Sequence, residues 1–154
     1  MSETAVQGAG EHSAPVAPER DVLYRKRKKK GRFSVAVPPL PLLEGPIADT
    51  HAHLGAVDAP LALARAAFWG MDFLCCITEP DSDAPRVYRE LDAWRQQAKE
   101  LLPKLLCATD AVLSRQTDDA SRQMRALVEQ RKAEGGFTIP RVRLAIACHP
   151  HTSR

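Results

Sequence analysis

Phe73-Leu74-Cys75-Cys76-Ile77-Thr78 is the stretch that decides the fold. It is an unbroken apolar run of strand length, and such runs fit a parallel strand buried on both faces. Its flanks are helical in pattern. Upstream, residues 58–69 are rich in Ala and Leu, with Asp58 as N-cap, Pro60 in the first turn and Gly70 as the stop. Downstream, residues 83–106 carry Leu91, Trp94, Ala98, Leu101 and Leu102 at helical spacing. Residues 117–134 carry Met124, Leu127 and Val128 on one side and end at Gly135-Gly136. Two more strand candidates lie outside these helices, at residues 47–51 and 141–148. The order strand, helix, strand, helices, strand predicts an α/β fold with parallel strands and right-handed crossovers.

Charge separates the N-terminal region from this body. The formal net charge is +3, yet eight basic residues lie between Arg20 and Arg32, while 14 basic and 15 acidic residues follow from Ser34 onward. The body is therefore near neutral. Residues 1–19 have no hydrophobic period and too little apolar surface to offset ordering entropy, so disorder is expected there. In Arg25-Lys26-Arg27-Lys28-Lys29-Lys30 the adjacent like charges repel and stay solvated. The run could touch phosphates non-specifically or simply aid solubility. Val37-Pro38-Pro39-Leu40-Pro41 is a stiff connector, and Gly45-Pro46 punctuates the start of the folded part. The expected division is a disordered basic tail and connector over residues 1–44 and a folded portion over 45–154.

A chain of 154 residues with 44% apolar content can bury a core as one domain. No stretch approaches the roughly 20 apolar residues of a membrane span. No apolar leader is evident, so a cytoplasmic location without membrane contact is expected. Cys75, Cys76, Cys107 and Cys148 form no Cys-x-x-Cys pair, and the expectation for them is buried, reduced thiols.

Four of the five histidines fall in two clusters. Asp49, His51 and His53 are spaced i, i+2, i+4, which places them on one face of an extended strand. Two imidazoles on one face can share a divalent metal, and Asp49 could orient one of them from behind. The same residues also read as ordinary histidines near a strand end. Their position at the end of the first strand, where α/β folds build sites, favours the metal reading. Cys148-His149-Pro150-His151 ends the third strand, with Pro150 stopping it. His149 and His151 are candidates for holding a substrate phosphate or for proton transfer. A polar strand exit is the plainer alternative.

Asp49-Thr50-His51-Ala52-His53-Leu54 resembles the opening Asp-Thr-His-x-His-Leu motif of the TatD family of metal-dependent deoxyribonucleases. Ala145-Ile146-Ala147-Cys148-His149-Pro150-His151 resembles that family's later Gly-x-His-Pro-His segment. PHP phosphoesterases and amidohydrolases also begin with His-x-His, and the His-Pro-His ending is what favours TatD. The resemblance implies a partial TIM-type (β/α)8 barrel, here its first three βα units. It implies His51 and His53 as metal ligands, Asp49 behind them, and His149 and His151 near the scissile phosphate. It also implies divalent metal ions, two in the full enzyme, with Mg, Zn and Mn not distinguished. The substrate would be DNA or another phosphodiester, attacked by a metal-activated water. A full barrel takes about 250 residues, and residues 46–154 number 109. The family's remaining ligands come from later strands, so the expectation is a chain inactive alone: a fragment, a truncated gene product, or one part of a split protein with a complementing C-terminal half. Residues 80–140 match only in being helical. Two other readings stay open. One is a PHP- or amidohydrolase-type fragment; the other is a non-catalytic nucleic-acid-binding fragment using the basic run at 25–30.

Overall fold

The computed structural model describes residues 25–29, 32–36 and 45–147. In chain order the elements are β1 (Arg25–Lys29), β2 (Arg32–Ala36), β3 (Ile47–Ala52), α1 (Ala59–Phe68), β4 (Met71–Thr78), α2 (Ala84–Leu113), α3 (Asp119–Glu134) and β5 (Arg141–Ile146). A 3-10 turn, Leu54–Ala56, links β3 to α1. β3, β4 and β5 form a parallel sheet with β4 in the middle.

The helix boundaries follow from local chemistry. The Asp58 carboxylate accepts from the Leu61 N–H at 3.2 Å, capping the first turn of α1. Gly70 takes a φ of 74°, a left-handed conformation that lets the chain leave α1 and enter β4 at once. α2 is longer than its spacing predicts and runs through Pro103 to Leu113. Proline there removes one backbone donor. Pro103 is exposed, and Leu102 and Leu105 beside it are buried in the core, so packing holds the helix where that donor is missing.

One core joins the helices to the sheet. It comprises Leu63, Ala64 and Phe68 of α1, Val87, Trp94, Ala98 and Leu105 of α2, Met124 and Val128 of α3, and Leu74 and Cys76 of β4. Along β4, Leu74, Cys76 and Thr78 are buried while Phe73, Cys75 and Ile77 are only half-buried. The helices therefore cover one face of the sheet, and the expectation of equal burial on both faces is not met.

The expected partial TIM-type barrel is corrected by the same observations. A barrel wall fills its inner face with layers of side chains. Here that second face of β4 is half-open, and β3 shifts register against β4 twice, between Ile47 and Ala48 and between Asp49 and Ala52. Two helices rather than one link β4 to β5. The fold is a small three-stranded parallel α/β sheet with helices.

The basic run also departs from expectation. Its backbone over Arg25–Lys29 is a strand that pairs antiparallel with Arg32–Ala36, so this part of the expected disordered tail is a paired strand. Ladder hydrogen bonding to the following segment outweighs the like-charge repulsion that the run suggests on its own. Residues 1–24 and the connector at 37–41 lie outside the described residues. Of the cysteines, Cys76 is buried, Cys75 is half-buried and Cys107 is exposed on α2, so burial holds fully for only one; Cys148 lies outside the described residues. No helix among the described residues is long and apolar enough to cross a membrane.

Candidate functional site at the carboxyl end of the sheet

A cavity of about 490 Å³ opens where β3, β4 and β5 end. Its walls are His51, His53, Gly55, Ala56, Ile77, Thr78, Glu79, Ser82, Asp83 and Ala147. The strand ends that form it are tied together. Thr78 Oγ1 donates to the Ala145 carbonyl at 3.3 Å, and the Ala147 N–H donates to the Thr78 carbonyl at 2.9 Å.

His51 and His53 both face this cavity, with ring centroids 5.0 Å apart in an edge-to-face arrangement. Asp49 takes a different course from the simple i, i+2, i+4 reading. The register shift between Asp49 and Ala52 interrupts the alternation of the strand. Asp49 Oδ1 accepts from the backbone N–H of His51 at 2.9 Å. Through this oxygen it braces the His51 backbone.

The turn after His53 is anchored from two sides. The Leu54 N–H donates to Cys76 Sγ at 3.4 Å, in the buried layer beneath. Burial pushes the Cys76 thiol above its ordinary value, outweighing the Leu54 N–H bond that favours the thiolate, and the nearby Asp83 charge pushes the same way. Cys76 thus stays a neutral acceptor that pins the turn. On the other side Gly55 meets the start of α2. A Cβ on Gly55 would lie 2.4 Å from Asp83 Oδ2, and Arg86 donates to the Gly55 carbonyl. Only glycine permits this approach.

Glu79, Ser82 and Asp83 are wall residues that the sequence reading missed. They form a tight turn between β4 and α2. The Glu79 N–H donates to Asp83 Oδ1 at 2.7 Å, Ser82 Oγ donates to Glu79 Oε2 at 3.2 Å, and the Ala84 N–H donates to the Glu79 carbonyl at 3.0 Å. A signal for Glu79 was present. It directly follows Thr78 at the end of the central strand, the same kind of position that drew attention to His51 and His53.

Two histidines and two acidic residues lining one cavity match the donor chemistry of a divalent cation. Among the described residues no group of three or more His, Cys, Asp or Glu side chains converges tightly enough to hold a metal by itself. His149 and His151 lie outside the described residues. Ala147, which precedes Cys148 and His149 in the chain, lines the cavity.

Comparison with known proteins finds no matching family model, no similar curated protein and no similar solved structure.

Proposed function

We propose that this cavity belongs to a divalent-metal-dependent hydrolase of phosphodiesters, of the kind the TatD-like motif implies. The observation that carries the reading is the pair His51 and His53, rings 5.0 Å apart, facing one cavity with Glu79 and Asp83. In this reading His51 and His53 hold the cation. A bound divalent ion would lower the pKa of water and offset charge on phosphoryl oxygens. Asp49 fixes the backbone from which His51 projects. Glu79 offers the carboxylate oxygen that Ser82 does not engage, placed to accept a proton from water or to hydrogen-bond a phosphoryl hydroxyl. Asp83 holds the Glu79 backbone and the rim of the turn at Gly55.

The test is direct. Mn2+ titrated into the chain is expected to broaden the His51 and His53 imidazole resonances first. A deoxynucleoside monophosphate is expected to bind with Mn2+ present and not with EDTA. Both effects should vanish in the His51→Ala, His53→Ala double variant. Mn2+ binding that survives the double variant overturns the metal site, and nucleotide binding indifferent to Mn2+ overturns the phosphoester assignment.

A further inference from the structure

A second cavity, of about 340 Å³, lies toward the amino ends of β4 and β5 and is lined by Phe73, Arg95, Arg141, Val142 and Arg143. It is chemically unlike the histidine cavity. Three arginines line it and no acidic residue does. Arg95 Nε is buried and has no hydrogen-bond partner among the described residues. The ion pair that Arg95 makes, to Asp92 at 3.7 Å, runs to a carboxylate whose side chain is 97% exposed and binds little energy. Arg141 and Arg143 are exposed, and among the described residues no ion pair engages them. Gathering three cations repels, and the arrangement is relieved when an anion enters. Guanidinium forks match phosphate oxygens two at a time.

The spacing narrows the ligand. Arg141 and Arg143 are two residues apart on β5, so they recur on one face about 6.6 Å apart. That interval is comparable to the separation of neighbouring phosphates on an extended single strand. Phe73 adds a half-buried aromatic ring on which a base can stack.

We propose that Arg95, Arg141 and Arg143 form a binding site for the backbone phosphates of single-stranded nucleic acid. The choice of nucleic acid over another phosphate source rests on the phosphodiester reading of the histidine cavity, but binding here needs no metal.

The experiment measures anisotropy of a short fluorescein-labelled oligothymidylate with the full chain in EDTA. Each phosphate contact on a single strand contributes about −0.7 to the slope of log affinity against log salt. The Arg141→Gln, Arg143→Gln double variant is expected to bind about tenfold more weakly and to flatten that slope by about 1.4. Arg89→Gln, an exposed α2 arginine outside the cavity, is expected to bind as the parent does. Circular dichroism should be unchanged in all variants. A double variant that behaves like Arg89→Gln overturns the proposal. So does variant-sensitive binding of inorganic phosphate or a phosphoserine peptide without variant-sensitive oligothymidylate binding, which would assign the arginines to a different ligand. Because EDTA is present throughout, failure here is separate from failure of Mn2+ binding at His51 and His53.

Discussion

Phe68, Leu63 and Leu105 in the helical layer are sealed among other apolar side chains, whereas His51, His53 and Glu79 at the sheet's carboxyl rim face an open cavity. The layer is held by area, which is non-directional and spread over many contacts. The rim is held by a few directed contacts: Asp49 to the His51 N–H, Cys76 to the Leu54 N–H, Asp83 to the Glu79 N–H, and the close packing of Gly55 on Asp83. Damage to the layer should therefore appear as lost stability. Damage to the rim should appear first as lost site geometry at a smaller cost in stability.

The largest effect is expected at Phe68, which is fully buried and contacts Trp69 and Phe137 ring to ring. Phe68→Ala should cost about 3–5 kcal/mol, read as a lower urea midpoint with an unchanged slope. A loss well under 1 kcal/mol would mean that the helical layer is not the cooperative core described here. Gly55→Ala tests the rim and should cost less, about 1–3 kcal/mol, because the new methyl must displace the Asp83 carboxylate or the turn. Its distinguishing mark is weaker Mn2+ binding in a protein that still unfolds cooperatively. If Gly55→Ala keeps full stability and full Mn2+ binding, the contrast between the two regions collapses.

The same contrast explains what could be read from the sequence. The Asp58 cap, the Gly70 stop, the apolar period of α2 and α3 and the strand over β4 depend on near neighbours, and all were legible. The half-open second face of β4 was not, because an unbroken apolar run looks the same whether one face or both are covered. The register shift between Asp49 and Ala52 arises from pairing with Leu74 and Cys76, 25 and 24 residues on, and no local pattern announces it. Gly55 against Asp83, and Arg95 lining one cavity with Arg141, are likewise long-range juxtapositions. The pairing of 25–29 with 32–36 was obscured because the run of adjacent like charges dominates the local pattern and hides the alternation of Arg32-Phe33-Ser34-Val35-Ala36.

Cys76 sits where the two regions meet, and Cys107 stands clear of both. A thiol reacts as its thiolate, so burial that raises the Cys76 value should suppress its labelling. With the native chain at neutral pH, a maleimide should modify Cys107 at least an order of magnitude faster than Cys76, with sites assigned by peptide mass mapping. Comparable rates would mean that the rim opens readily and that Leu54 is not pinned to Cys76. In urea the two should react alike.

The smallest effect is expected at the start of α3. Ser121 Oγ donates to Asp118 Oδ2 at 2.7 Å and the Ser121 N–H donates to Oδ1 at 3.0 Å. The hydroxyl bond first and the backbone bond second hold the Asp118 carboxyl below its ordinary value. A depressed acid favours the folded state in its ionised form. Its contribution is fully present above the unfolded value, near pH 4, and is lost as pH falls through the lower folded value. The protection factors of the Ser121 and Arg122 amides, corrected for intrinsic exchange, should therefore fall below about pH 4 in the parent chain, while the helix interior at Leu127 and Val128 stays protected. In Asp118→Ala the protection factors of the same amides should be lower already at neutral pH and show no fall near about pH 4. Because Asp118 is solvent-exposed, the change should stay confined to the first turn. An acid-induced loss of protection that spreads at once to Phe68 would show that the cap and the helical layer are one unit, against the division drawn here between local contacts and buried area.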